Sequence, residues 1–264
     1  MNLVSIFQIV VFLSLGLVCL TPNMRSLKEA KLSNYFCIIP AREGSKRIPN
    51  KNIQEVDGVP LIGHVIKNAI ASGVFNEIFV STDSPLIASI ALQYGAVVPE
   101  LRSKELSNDF TPTRPVVADF VAKIPDLQKT GSVIACIYPF AILITPELIR
   151  DVKIQFDSLI DTSKYLVAVK RYPHPVQRSF TMSVQNELIP LMPDALESRT
   201  QDLPTYFHDA GQFYFALNST WFIDQTILAK GYGFEISRHS AVDIDDWEDL
   251  EELKQTYATR NLEG

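Results

Sequence analysis

From residue 34 onward, short apolar runs rich in β-branched and aromatic residues alternate with longer amphipathic stretches. That alternation is the pattern of a parallel sheet whose strands are joined by crossover helices. The short runs predict strands over 35–40, 77–81, 96–100, 133–138, 165–170, 212–217 and 234–236. The amphipathic stretches predict helices over 60–72, 85–94, 113–124, 146–157, 219–229 and 246–257. Asp83-Ser84-Pro85 supplies a cap followed by an early proline, Asp245 with Glu248 resembles a capping box, and Gly73 and Gly95 are helix stops. The alternation breaks at 171–206, where Pro173, Pro175, Pro190, Pro193 and Pro204 leave no long periodic helix. This segment is expected to be a small inserted lobe or a dimerisation arm within one domain spanning 35–264.

Residues 1–34 form a separate apolar segment and linker. Residues 3–20 carry no charge and are just long enough to be tested as a membrane span. A secretory signal is disfavoured, because no Lys or Arg precedes the run and it ends in Val18-Cys19-Leu20 without a small-x-small cleavage site. The favoured reading is that the run is not native and that Met24 opens a shorter start. The next is an anchor, with Arg25, Lys28 and Lys31 holding the chain on the cytoplasmic side. Under both, the folded domain is expected in the cytoplasm, with membrane contact only if the run is a real anchor.

Composition narrows the function. The chain of 264 residues is 47% hydrophobic, enough for a full core, and its net charge of -6 gives no general attraction to nucleic acid or anionic lipid. Cys19, Cys37 and Cys136 are an odd set without metal-ligand spacing, and the last two lie in apolar runs. No disulfide framework is expected.

Against this acidic background, the loop after the first strand places Arg42, Lys46, Arg47 and Lys51 within ten residues, around Gly44 and Ser45. In an open parallel sheet ligands bind at the carboxyl ends of the strands, so this loop is a candidate polyphosphate site. It has neither the GxxxxGK[ST] nor the GxGxxG pattern. An isolated cluster of this kind is usually a solvated loop; its place after a buried strand argues against that here. Asp243 and Asp245, two apart on an extended segment, point the same way and suit a hard divalent cation. The plain alternative for Asp245 is a helix cap. No G-x-S-x-G elbow or other evident nucleophile is present.

The run Ile38-Ile39-Pro40-Ala41-Arg42-Glu43-Gly44-Ser45-Lys46-Arg47-Ile48-Pro49, with Lys51-Asn52, resembles the IPARGGSKRIPxKN signature of the CMP-sialic acid synthetase (acylneuraminate cytidylyltransferase) family. The resemblance continues through Val80-Ser81-Thr82-Asp83, Leu101-Arg102 and Glu105-Leu106-Ser107. Tyr172 to Arg178 and Phe207-His208-Asp209-Ala210-Gly211-Gln212-Phe213-Tyr214 are similar to its pseudaminic acid subgroup. The resemblance implies a Rossmann-like nucleotidyltransferase fold, α/β with a mostly parallel central sheet flanked by helices. The implied reaction moves CMP from CTP to the anomeric hydroxyl of a nonulosonic acid and releases pyrophosphate. It further implies a homodimer and Mg²⁺ as cofactor, held by Asp243 and Asp245. Arg42, Gly44, Ser45, Lys46, Lys51, Asn52 and Arg102 would bind the nucleotide, with Arg42, Lys46 and the two aspartates carrying the chemistry.

For the sugar, the FHDAGQFY segment offers Gln212 and Tyr214 on one face of a strand, with Phe213 and Phe215 on the other. His208 and Arg178 are candidates for the sugar carboxylate, with ordinary structural hydrogen bonding and a surface or interface salt bridge as their plain alternatives. His174 and Asp209 carry the same ambiguity. His64 and His239 are expected to be structural, Asp83 a helix cap, and Trp221 and Trp247 packing anchors.

Two positions depart from the signature: Glu43 replaces its first glycine, and Tyr138-Pro139-Phe140-Ala141-Ile142 replaces YPTAP. These departures and the apolar N-terminus motivate a competing expectation, a degenerate nucleotide-binding protein without turnover. A neuraminic, legionaminic or deoxy-octulosonic acid substrate is the alternative within the enzyme reading.

Overall fold

The computed structural model describes residues 34–263; residues 1–33, including the apolar run at 3–20 and the start at Met24, lie outside the described residues. The strands are β1 (Tyr35–Pro40), β2 (Glu55–Val56), β3 (Val59–Pro60), β4 (Glu77–Ser81), β5 (Val133–Ile137), β6 (Tyr165–Arg171), β7 (Phe180–Met182), β8 (Leu188–Pro190), β9 (Phe207–Leu217) and β10 (Gly231–Glu235). The helices are α1 (Leu61–Ser72), α2 (Pro85–Gln93), α3 (Thr113–Lys123), α4 (Pro146–Asp157) and α5 (Trp247–Glu263).

Six strands form the main sheet in the order β10-β6-β9-β5-β1-β4. All pairings are parallel except those of β9, which runs antiparallel to both β5 and β6. Buried on both faces, β1 reads as an unbroken apolar run. Its residues divide by period two: Tyr35, Cys37 and Ile39 pack with α1, α2, α4 and α5, while Phe36 and Ile38 pack with α3 and Trp221. Cys37 and Cys136 are free thiols buried in these layers. The chain leaves β1 through α1 to β4 on one side, then returns to β5 on the other. The carboxyl ends of β1 and β5 therefore flank a topological switch point, where such sheets open a crevice.

α5 is tied to α1 through His64, whose Nε2 donates to the Val56 carbonyl at 2.8 Å and whose Nδ1 meets the Tyr257 hydroxyl at 3.3 Å. This fits the structural role expected of His64.

Several elements differ from the sequence expectation; β10 begins at Gly231 rather than at 234, and α5 runs to Glu263 rather than to 257. The strand expected over 96–100 shrinks to one bridge between Val97 and Phe79, because Pro99 has no N–H to continue the ladder. The helix expected over 219–229 is a short 3-10 turn, Asn218–Phe222, followed by turns. Thr220, Ile223, Thr226 and Ile227 are β-branched, and burying Trp221 fixes the segment without a continuous helical face. β9 begins five residues earlier than expected, and its register to β6 shifts between Val167 and Val169. The φ of 60° at Gly211 belongs to this irregular stretch.

The Pro-rich segment holds the antiparallel β7–β8 hairpin and three 3-10 turns, with no long helix. Among the described residues no helix is long and apolar enough to cross a membrane.

Candidate functional site

A cleft of about 490 Å³ opens at the carboxyl ends of β1 and β5, bounded by Pro40 on one side and Tyr138, Pro139 and Phe140 on the other. The loop after β1 supplies one wall and is anchored by its own sequence. Ile48 is fully buried, and the buried Asn52 side chain donates to the Arg42 carbonyl at 2.9 Å, closing the loop on itself. Asn50 turns the chain in the left-handed region (φ 55°), a conformation asparagine tolerates, and leads into the 3-10 turn Lys51–Ile53. The fold thus brings Arg42, Ser45, Lys46, Lys51, Asn52 and Arg102 to one cleft, with Gly44 in the turn between them.

The cations have partners. Arg42 and Lys46 both hold the carboxylate of Asp109, Lys46 at 2.5 Å, and these bonds keep the Asp109 carboxyl below the usual aspartate range. Asp109 therefore stands where an anionic ligand would meet the loop. Lys51 donates to the Ile244 carbonyl at 2.8 Å and lies 4.7 Å above the Phe140 ring; burial lowers its pKa, opposed by Asp243 and Asp245. Arg102 is buried and donates through Nε to Ser107 at 3.0 Å, while its backbone N–H bonds the Thr82 carbonyl at 2.7 Å. Asp109 escaped the sequence reading, because a carboxylate that follows Glu105-Leu106-Ser107-Asn108 carries no sign of the loop it will meet.

Asp83 is a correction: expected as a cap for α2, it instead accepts the Glu43 backbone N–H at 3.0 Å, fixing the loop. Ser84 holds the cap position without a side-chain bond.

Asp245 is a second correction. Asp246, not Asp245, caps α5, accepting the N–H groups of Glu248 at 2.9 Å and Asp249 at 3.1 Å. Asp249 reciprocates to the N–H groups of Asp245 and Asp246. The Asp245 side chain is thereby freed to line the cleft, where it pairs with Arg47 at 2.8 Å. Asp243 sits beside Lys51 and Asp245; its carboxyl is held above the ordinary aspartate range, first by lost hydration and next by the Asp245 charge. Two neighbouring carboxylates, one of them disfavoured as an anion, are a donor set that a hard divalent cation relieves. Among the described residues no cluster of three His, Cys, Asp or Glu forms, so phosphate oxygens and water would have to complete any such coordination.

The sequence profile described as cytidylyltransferase matches residues 36–186, which include the cationic loop, Asp109 and the Tyr138–Phe140 wall. The chain belongs to the cytidylyltransferase family. It is 36% identical over 224 residues to the pseudaminic acid cytidylyltransferase of Campylobacter jejuni, covering 84% of this chain and 95% of the relative. It is also 33% identical over 236 residues to the CMP-N,N'-diacetyllegionaminic acid synthase of Legionella pneumophila, covering 83% and 97%. Among solved structures, CMP:2-keto-3-deoxy-manno-octonic acid synthetase complexed with CTP superposes with a TM-score of 0.64 at 16% identity, over 86% of this chain and all of that one, which establishes the shared fold.

In this cytidylyltransferase the two departures have distinct settings. Glu43 is exposed and is not among the side chains lining the cleft, so its charge is directed away from the loop's interior. Phe140 is buried, stacks on Tyr138 with centroids 5.5 Å apart and planes 8° from parallel, and supports Lys51. The hydroxyl of the usual threonine is replaced by an aromatic floor under a cation.

The four sugar candidates are not gathered together. Gln212 is buried; its amide N–H groups donate to the carbonyls of Ala210 (3.1 Å) and Val242 (3.3 Å), while Oε1 has no partner among the described residues. Tyr214 donates to Asp209 at 2.6 Å, and Phe213 and Phe215 pack on the opposite face, as the alternation implied. His208 packs on Tyr172 and its Nδ1 lies 2.9 Å from the Asp209 carbonyl. Arg178 bonds the Ser198 carbonyl within the Pro-rich segment. Neither His208 nor Arg178 lines the cleft.

Proposed function

We propose that this cytidylyltransferase transfers CMP from CTP to the anomeric hydroxyl of a nonulosonic acid, with pseudaminic acid as the acceptor, releasing pyrophosphate. The convergence of Arg42, Lys46, Arg47, Lys51 and Asp245 on one cleft at the switch point carries this reading; the identity to the Campylobacter jejuni relative supports the acceptor.

The obstacle to the reaction is charge, since an anionic sugar acid must approach an anionic triphosphate. Arg42 and Lys46, exchanging Asp109 for phosphate oxygens, bind the triphosphate, and the backbone around Gly44 and Ser45 permits close approach. Lys51, fixed by Ile244 and Phe140, offers a positioned cation whose partial desolvation strengthens its pull on developing charge. Asn52 holds the loop shape rather than a proton. Asp243 and Asp245 would hold Mg²⁺, which when bound with the triphosphate would neutralise charge on the phosphates. The expected place of action is the cytoplasm, where CTP is held.

The protein is further proposed to act as a homodimer. The β7–β8 hairpin aligns Met182 opposite Leu188 and leaves Phe180, Met182 and Leu188 exposed on one face, a surface suited to a second copy.

The deciding experiment is pyrophosphate release by the full chain with CTP, Mg²⁺ and a panel of sugar acids, the product identified by mass. CMP-pseudaminic acid is the expected product. Nucleotide binding without turnover on any acid overturns the reading in favour of a degenerate binding protein.

A further inference from the structure

We propose that Arg47 is a displaceable counter-charge of the acidic pair, opposing divalent-cation loading at Asp245 until a triphosphate draws its guanidinium away. This rests on the cytidylyl-transfer reading and gives Arg47 a part of its own beside Arg42 and Lys46. Its Nη2 lies 2.8 Å from Oδ1 of Asp245, and both residues line the cleft. A hard cation binds through the same carboxylate oxygens, so guanidinium and cation compete for Asp245.

The two cations beside the acidic pair differ in how easily they leave. Lys51 is pinned: its ammonium donates to the carbonyl of Ile244, the residue between the two aspartates, and rests over the Phe140 ring. Arg47 is held far less firmly. Its side chain is 66% exposed and that of Asp245 56%, so water can take the place of either partner and the pair is weak. Lys51 also favours the departure: its pKa, lowered first by burial, is lowered further by the Arg47 charge, a repulsion that ends when Arg47 moves off. The backbone of Arg47 is anchored by the fully buried Ile48, which leaves the side chain as the part that moves.

The charges also show what would draw it. Asp243 and Asp245 face Lys51 and Arg47, two anions against two cations. A divalent cation added to this balanced set leaves an excess of positive charge, which a triphosphate neutralises. Lys46, the residue before Arg47, already holds an anionic group in Asp109, so a triphosphate taken up by Lys46 arrives one residue from Arg47. Cation and nucleotide thus each favour entry of the other, and this coupling is reciprocal.

The test is two titrations of the full chain: Mn²⁺ without nucleotide, followed by electron paramagnetic resonance, and CTP in metal-free buffer with a chelator. Arg47→Gln is expected to tighten Mn²⁺ about two- to fivefold and to weaken CTP by a similar factor, the range of an exposed ion pair. The opposite signs are the signature of exchange, since a residue that only shaped the loop would move both affinities the same way. In an Asp245→Asn background Arg47→Gln is expected to give no gain in Mn²⁺ binding, because the contested carboxylate is gone. Lys129→Gln, which removes an exposed charge ahead of β5, is expected to give none either. Thermal melts check that each variant is folded. Unchanged or weaker Mn²⁺ binding in Arg47→Gln, unchanged CTP binding, or an equal gain in either control overturns the assignment. Two outcomes separate it from the proposed reaction. Opposite shifts in Arg47→Gln, without pyrophosphate release by the wild type on any sugar acid, support the exchange and overturn the reaction. Wild-type turnover, with both affinities unchanged in Arg47→Gln, supports the reaction and overturns the exchange.

Discussion

Lys46 Nζ stands 2.5 Å from Oδ2 of Asp109. The carboxylate thus occupies the cations that the triphosphate must use, and it does so from the segment after Arg102, remote in sequence from the loop. Nucleotide binding is a competition between an internal anion and an external one.

Asp109→Asn removes the competitor's charge. Because the contact is exposed, with the Lys46 side chain 81% exposed, the gain is modest: KM for CTP is expected to fall about two- to fivefold. A rise in KM with unchanged kcat contradicts the competition.

The acidic pair makes opposite demands on stability and activity. Asp243 has its pKa raised in the folded protein, so protonation favours the fold below the ordinary aspartate pKa, and that benefit is lost as pH rises through the raised value. At neutral pH the ionised carboxyl is the penalised form. Asp243→Asn is therefore expected to raise the melting temperature of the nucleotide-free protein at pH 7, with the gain vanishing toward acid pH. Turnover should fall roughly a hundredfold in the same variant and in Asp245→Asn.

The exposed setting of Glu43 predicts that its charge is harmless. Glu43→Gln should change KM for CTP by less than about twofold, as steady-state kinetics would record. A larger fall in KM would place the carboxylate near the phosphates.

Phe140 is expected to matter more than its departure from the signature suggests. Phe140→Thr removes the floor beneath Lys51 and the stack on Tyr138, at about 3 kcal/mol of stability in chemical denaturation. KM for CTP is expected to rise as Lys51 loses its fixed position.

Leu188→Asp puts a charge on the apolar face of the β7–β8 hairpin. Sedimentation is expected to show a dimer for the wild type and a monomer for the variant, with the melting profile of the core retained.

The local pattern of residues by itself determined the alternation of strands and helices, the burial of β1 on both faces, and the cationic loop, because an unbroken apolar run and a cluster of charge in an acidic chain are local facts written in consecutive residues. Helices such as α4 followed from an apolar period and a proline at the start. What the sequence could not carry was any pairing across the fold. Asp109 meeting Lys46, Asp83 holding the Glu43 N–H, and Arg114 meeting Asp224 across 110 residues depend on which strands become neighbours. The antiparallel placement of β9 is of the same kind: its residues from Gln212 on alternate as any strand would, and only the sheet order decides that Tyr214 faces Asp209 and α3 rather than the phosphate loop. Periodicity also overstated the helix at 219–229, where burial of Trp221 and four β-branched residues outweighed the spacing. Local chemistry is readable from neighbours in the chain, whereas long-range electrostatics and cavity shape arise only when the core closes.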